Sequence, residues 1–483
     1  MKYWCNCFAT LLVLFCLTNE INAQDTTCIY GSVFEKFPES KPLDFYCLDA
    51  NYGLVLGKKK SKNPFKFVFL DSNLTVKSQV DLSFPSNSFV NSLVVDNKPY
   101  LFFSKTNAEG QQELMVQMVN SNGQLANPYV LTSFKNIGGY KVNFKLAVSK
   151  NSKKVVLLVE HPYEKQKHEK FTLILFDERL KLIQIVNKTL DVLYKHKRIN
   201  FPVVSDDGSV YVIKKHFDKK TQYYIFHLKG SDVEEAKIGL RSRDVVSLRY
   251  LVNDKGDLNV FGFFKSPIHL NYEGVFSMRF NNSVHPEFKK EVFLTEKTVG
   301  AFKSKKEIKT KGFGLDNFKI NKLLTDTSGN FFLVAGHLFR SQLKIGSEHF
   351  RKGLVAVKFS KTGNFIWSSP FVYNQYELFS KQGSWASFIP FVDDKELNII
   401  YNSINYKLKK PEQMHTNTFI KTNRIGFDKL GMPIDKKIDK IYGFKGGKMG
   451  LIPDLLAKNG KNIFLLFQNE QKTESRVVRV NLY

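Results

Sequence analysis

The stretch Lys322 to Gly336, KLLTDTSGNFFLVAG, sets the pattern that this chain repeats: an apolar block, a tight polar turn around Asp326 and Gly329, then a second apolar block. The same word returns as CLDANYGLVLG at Cys47, VVDNKPYLFF at Val94, AVSKNSKKVVLLV at Ala147 and VVSDDGSVYVI at Val203. It returns again as LVNDKGDLNVFG at Leu251, FVDDKELNII at Phe391 and LAKNGKNIFLLF at Leu456, which makes eight copies. Marked by the second turn position, from Asp49 through Asp96, Lys150, Asp206, Asp254, Asp326 and Asp393 to Lys458, the copies lie 47 to 72 residues apart. That spacing is within or somewhat above the period of propeller blades.

Each copy continues in the same order, through a variable polar loop to a third strand, a turn and a fourth strand. FVFLDSNLTV from Phe67, LILFDERLKL from Leu173 and VAVKFSKTGN from Val355 are the third-strand endings that carry this best. Alternating apolar positions bounded by Asn, Asp, Ser and Gly are what hairpins of half-buried antiparallel strands require. Four strands, A to D from the axis outward, make one blade. The pattern therefore predicts an all-β chain folded as a single propeller of four-stranded antiparallel blades. Eight blades are expected, with seven as the alternative if the first and last copies merge. Helical periodicity is absent, and Phe302 to Phe318, rich in charge, reads as a loop.

The chain ends predict how the ring closes. The eighth copy stops after its third strand, Arg476 to Leu482, while CIYGSVFEKF (Cys28 to Phe37) is a spare strand ahead of the first complete copy. Pairing the two would complete the last blade and remove an exposed edge.

In the sixth copy DTSGN (Asp326 to Asn330), Gly336, Gly346, LVAVKFSKTGN (Leu354 to Asn364) and Trp367 resemble the SBBP-type propeller repeats of secreted bacterial proteins, notably of Bacteroidota. The resemblance is specific in that copy and degenerate elsewhere. It implies fold and export, and it brings no catalytic residue with it.

Composition adds an address and a partner class. Lys2, the apolar run Phe8 to Leu17 and Ile21-Asn22-Ala23 read as a secretory signal cleaved after Ala23, leaving residues 24–483 as the propeller domain. No later stretch approaches the roughly 18 uninterrupted apolar residues of a membrane span, so a periplasmic, secreted or cell-surface protein is expected, as a monomer. With 44 Phe, 20 Tyr and 43% hydrophobic residues the chain has ample core material, which excludes a disordered chain. Of five cysteines, Cys5, Cys7 and Cys16 fall in the signal, so Cys28 and Cys47 are expected to form a disulfide in an oxidising compartment. The formal charge of +27 suggests an anionic partner, although the lysines are scattered rather than blocked together.

Signatures of catalysis are missing: HExxH, GxSxG, a CxxC after residue 23 and a complete phosphate-binding glycine loop do not occur. The doublets Asp206-Asp207 and Asp393-Asp394 offer the paired carboxylates of a glycosidase, but both fall in the turn word, where Asp serves the turn. His161, His216 and His337 recur at similar places on copies three, four and six, which spreads them around a ring instead of gathering them on a metal. His161 and His168 could meet in one loop. No metal and no cofactor is expected.

The A-to-B and C-to-D turns are short and stereotyped, whereas the B-to-C and D-to-A connections on the opposite face vary and are both basic and aromatic. Variable loops on one rigid face are where repeat proteins place function. In copies six to eight these loops hold Tyr373, Tyr376, Phe379, Trp385, Tyr442 and Phe444 together with His337, Arg340, Lys381 and Lys445. The reading that follows is a non-catalytic binding or scaffold propeller, with His337, Arg340, Tyr376, Phe379, Trp385, Tyr442, Phe444 and Lys445 as candidate contacts for an anionic or glycan ligand or a protein partner. The alternative is a propeller hydrolase or lyase acting on an extracellular polymer, which clustered buried carboxylates or histidines at the channel mouth would favour. Nucleic acid ranks third, since no recognised module is present.

Overall fold

The computed structural model describes residues 28–35, 40–48, 51–58, 65–82, 89–120, 122–137, 139–162, 164, 166–193, 199–217, 221–343, 346–378, 388–406, 418–436, 449–469 and 474–482. These residues form eight antiparallel sheets, one per repeat, each in the sequential order A to D, and the sixth carries a fifth strand. Blades one to seven run over residues 40–82, 89–135, 143–193, 199–238, 244–293, 318–378 and 388–436, and blade eight over 449–481. Neighbouring A strands touch from blade two to blade eight, and that of blade one (Ser40–Leu48) meets the B strand of blade two and the A strand of blade eight (Met449–Asn459), so the ring is an eight-bladed β-propeller.

The repeated word is apolar where it is because blades stack face to face. The B strand of blade three, Val155–Glu160, sends Val155, Leu157 and Val159 into the core shared with blade two and Val156 and Leu158 into the core shared with blade four. Both of its faces are buried, so it reads as a continuous apolar run. D strands face a neighbour less completely and alternate, as in Val76–Leu82 with its exposed Lys77, Gln79 and Asp81. The apolar interior is consequently eight separate interblade layers, each drawn from two adjacent blades, including one between blades eight and one.

The turn word is held by its Asp or Asn. Asp326 Oδ1 accepts the N–H groups of Ser328 (2.9 Å) and Asn330 (2.8 Å), and Gly329 takes the left-handed conformation at φ +82°. Asn253, Asp177 and Asp428 make the same pair of bonds in other turns. A short polar side chain that mimics a backbone turn is what the position demands.

Closure follows the expected route. Cys28–Glu35 pairs antiparallel with Glu474–Asn481, Cys28 opposite Val480 and Glu35 opposite Glu474, as the outermost strand of blade eight.

Two expectations are corrected. The 302–318 segment is not all loop: with the residues before it, it forms helices α1 (Glu296–Gly300) and α2 (Lys305–Lys311). Helix α2 has no buried residue, so its sequence carries no apolar stripe; it is set by a capping box in which Ser304 and Glu307 exchange bonds. Cys28 and Cys47 are not joined. Cys28 lies on the outermost strand of blade eight and Cys47 on the innermost strand of blade one. Three strand spacings amount to about 14 Å, against the roughly 7 Å between Cα atoms that a disulfide tolerates. Burial instead pushes the Cys47 thiol up to about 11. The proposed signal, residues 1–23, lies outside the described residues. No described helix is long and apolar enough to cross a membrane.

Candidate functional site

The two faces of the ring differ as the loop lengths predict. On the loop face blade six rises above its neighbours, because its C and D strands, Gly346–Phe359 and Phe365–Leu378, are each 14 residues long. The B strand Phe331–His337 pairs only with the lower part of the C strand. The upper part pairs instead with an added strand, Phe339–Leu343, and with the end of the D strand, making a three-stranded flap. Register breaks at Gly353, whose φ is +135° and whose Cβ, if present, would lie 2.2 Å from Phe371 O. Only glycine fits where the strand leaves the blade. The flap register aligns Phe339, Phe350 and Tyr376 in one row and Arg340, His349 and Glu377 in the next. Two candidate contacts, Arg340 and Tyr376, thus lie on one flap, and Phe339 there is half-exposed.

The remaining candidates divide. His337 ends the B strand of blade six, buried, with Nδ1 accepting the Lys352 N–H at 3.3 Å and its ring edge-on to Phe318. Burial, with Lys352 adding to it, holds its pKa below the usual histidine value against the pull of Asp316. It is a buried strand-end residue, not an exposed one. Nearby, Lys303 Nζ is buried 3.9 Å from Asp316 Oδ2, and burial lowers its pKa. Tyr373 is also interior, stacked on Tyr401 at 5.0 Å, and burial drives its hydroxyl pKa up. Trp367 packs in the layer between blades six and seven, stacked on Phe427. Phe379, Lys381, Trp385, Tyr442, Phe444 and Lys445 lie outside the described residues.

Histidine and carboxylate pairs do not converge. His161 Nε2 bonds Thr172 Oγ1 at 2.8 Å while His168 Nδ1 bonds Leu190 O at 2.8 Å, so the two go to different partners. Asp206 accepts the Asn151 N–H of the neighbouring blade (2.9 Å), and Asp394 accepts Thr327 Oγ1 (2.6 Å). Burial raises the Asp207 pKa, but bonds from Ser205 and Ser209 outweigh it and hold the carboxyl below its usual range. Each doublet serves its turn and the seam to the next blade.

On the turn face the channel mouth opens into a cavity of about 930 Å³ between blades five and six. Its inner rim is bridged by Lys150 of blade three, whose Nζ donates to both oxygens of Asp254 on blade five at 2.9 and 3.1 Å, skipping blade four. Outward, Arg279 Nε donates to Asn259 Oδ1 (3.0 Å) and its NH2 to Lys361 O of blade six (2.5 Å). Blade seven repeats the device, with Arg424 Nε on Asn398 Oδ1 at 3.1 Å. Asn259 and Asn398 stand in the words DLN and ELN just after the A-to-B turn. That recurrence was visible in the sequence, but its arginine partners sit at variable distances down the chain.

No known protein family matches the chain, and no curated protein matches it in sequence. Similar solved structures include the β-propeller domain of the Trilobed protease from Pyrococcus furiosus, at 12% identity over 85% of this chain and 100% of that one, with a TM-score of 0.39. The WD40 domain of SCAP from fission yeast aligns at 8% identity over 94% and 98% of the two chains with a TM-score of 0.39. A polysaccharide lyase described as an ulvan lyase aligns at 11% identity over 81% and 93% with a TM-score of 0.40. Likeness at this level is to the propeller fold and carries no argument about activity.

Proposed function

We propose that this chain is an exported, non-catalytic binding propeller that holds an anionic or sugar-like polymer, or a protein partner, on the loop face of blades six to eight. The flap of blade six carries the reading. It carries Arg340 and Tyr376 on a sheet that leaves the blade at a glycine bulge, and in sequence its last strand leads straight into Phe379, Lys381 and Trp385. Aromatic rings stack on sugars or anchor interfaces, and arginine supplies oriented charge. His337 lies beneath, buried against Phe318 and accepting the Lys352 N–H. His161, His168, Asp206 and Asp394 support binding over turnover, because they are committed to neighbouring strands and turns.

The test is a binding screen against acidic and neutral polysaccharides at low and physiological salt, comparing wild type with Trp385→Ala and with Arg340→Ala plus Lys445→Ala. Binding should fall about tenfold or more in each variant, the size expected for losing an aromatic anchor or charge-assisted bonds. Binding that neither variant weakens would move the site off this face. Binding lost only in the charge variant, and abolished by salt, would reduce it to nonspecific electrostatics.

A further inference from the structure

We propose that the loop face of blade five docks on an anionic lipid surface, inserting the B-to-C loop tip Pro267 to Leu270 among the headgroups, with the lysines of helix α2 on the charged lipids beside it. At the tip Ile268 is 85% and Leu270 86% exposed, the most exposed large apolar side chains among the described residues. Their neighbours turn the other way. Ser266, Asn271 and Glu273 are buried, His269 Nδ1 meets Glu273 Oε1, and Asn271 Nδ2 donates to Lys311 O (2.6 Å) and Gly312 O (3.0 Å). Loops are normally polar outward; this tip holds polar groups inward and presents aliphatic ones. It is also fixed from its base. Tyr272 and Leu315 exchange backbone bonds at 2.7 and 2.9 Å, Glu273 N–H donates to Phe264 O (2.9 Å), and a Cβ on Gly314 would lie 2.6 Å from Tyr272 O. The aliphatic pair is therefore displayed by an anchored loop.

Charge selects the occupant. From Leu294 to Asp316 the chain has six lysines against Glu296, Glu307 and Asp316. Glu307 accepts the Ser304 N–H and hydroxyl at 2.9 Å each, Asp316 stands 3.9 Å from Lys303, and Glu296 is followed at once by Lys297. That leaves the exposed Lys305, Lys306, Lys309 and Lys311, all on α2 and none ion-paired with a described residue. The carbonyl of Lys311 is bonded to the loop through Asn271, and Lys305 stands about 9 Å further along the helix axis. The helix thus carries its four charges within about a Debye length of the tip. Phe293 is half-exposed where the D strand meets the same loop, with Leu294 N–H on Glu273 O at 2.9 Å, and the Arg243 guanidinium lies over its ring at 5.2 Å.

A protruding aliphatic point beside unpaired lysines suits interfacial binding, in which partition of apolar groups and attraction to anionic headgroups act together and neither suffices alone. Other occupants fit worse. Lysine is depleted from protein interfaces, and a second copy meeting this one about a two-fold axis would set lysine against lysine. A sugar chain or a nucleic acid offers the aliphatic tip nothing to bury it.

The experiment sediments the full chain with vesicles of phosphatidylcholine alone and of phosphatidylcholine mixed equally with phosphatidylglycerol. Wild type should pellet with the mixed vesicles and not with the neutral ones. Ile268→Ser plus Leu270→Ser should weaken the association at least about tenfold, the loss expected when two aliphatic side chains no longer partition. Lys305→Ala plus Lys309→Ala should weaken it about tenfold through lost attraction to the anionic surface. All four residues are exposed, so the melting temperature should not move. Lys255→Ala plus Lys429→Ala, exposed on the opposite face, should leave the association unchanged. Ile268→Trp should keep it, and the added fluorescence should be quenched by lipid brominated on its acyl chains, which electrostatic adsorption alone would not produce. The site is separate from the flap contacts Arg340 and Tyr376, and the tip variant should leave polysaccharide binding on blades six to eight as it is in wild type. Equal association with neutral vesicles, none with either kind, or anionic binding that survives the tip variant overturns the proposal. So does a wild type that ignores vesicles and self-associates through the tip, whose occupant would then be a second copy.

Discussion

Residues in this propeller that look chemical are mostly structural, and His337 is the clearest instance. Its folded pKa lies below the ordinary value of 6.5 because burial and Lys352 disfavour the imidazolium, with Arg351 adding and Asp316 opposing. The unfolded chain therefore binds the proton more readily than the folded one. Stability linked to this group is fully present above the unfolded pKa and is lost as pH falls through and below it. His337→Gln should flatten part of the loss in denaturation midpoint between about pH 7 and pH 5. An unchanged slope in that variant would mean that the imidazole titrates as freely folded as unfolded. The sequence foretold the position, at the end of a B strand, from its distance to the turn glycine. It could not foretell that the ring packs on Phe318 and accepts from Lys352, since one lies before the turn and the other beyond the flap.

Elements were legible where both their faces are buried. The word FFLVAG is apolar without interruption because Leu333 and Ala335 enter one interblade layer and Phe332 and Val334 the next. Turn residues were legible because Asp326 and its counterparts make bonds two and four residues on, within the word itself. What was missed lacks such local cause or hides it. Helix α2 buries nothing and shows no stripe, although its start was written in Ser304 and Glu307. Ser304→Ala should cost that helix about 1 kcal/mol, the usual size for losing an N-cap, and so lower hydrogen-exchange protection of amides 308–311 about fivefold without moving the global unfolding transition. Protection that stays at the wild-type level would show that contacts with the ring hold the helix, not its cap. The flap of blade six was missed for another reason: HLFRSQLKIGSEHFRKG from His337 and YNQYEL from Tyr373 are mixed polar and aromatic and read as loops, whereas they extend the C and D strands past Gly353 and add the strand Phe339–Leu343.

At the scale of the whole molecule the fold is a ring of eight layers with no central core, so its stability depends on every seam, and blade eight is special because no covalent turn joins its C strand to its outermost strand. The strand Cys28–Glu35 does more there than finish a sheet. It pairs with Glu474–Asn481 on one side, and Ser32 reaches into blade one, its N–H to Leu74 O at 3.1 Å and its Oγ accepting the Val76 N–H at 3.0 Å. Arg479 NH1 adds a bond to Ser72 O at 3.1 Å across the same seam. Gly31 is part of the fit: a Cβ there would lie 2.6 Å from Leu74 Cβ and 2.7 Å from Leu74 O, so the closing strand and the C-to-D turn of blade one touch backbone to side chain. Gly31→Val should therefore destabilise the protein by about 1–3 kcal/mol, the range for forced overpacking. Removing residues 24–35 should do more, because it leaves the backbone of Glu474–Asn481 unpaired at an open sheet edge, which invites pairing with another chain. The truncated protein should melt at a lower temperature and show concentration-dependent association in scattering, and a synthetic peptide of residues 24–37 should reverse both. A truncated protein that melts like wild type and stays monomeric at high concentration would mean that the interblade layer of Phe45, Tyr52 and Phe464 closes the ring without its last strand.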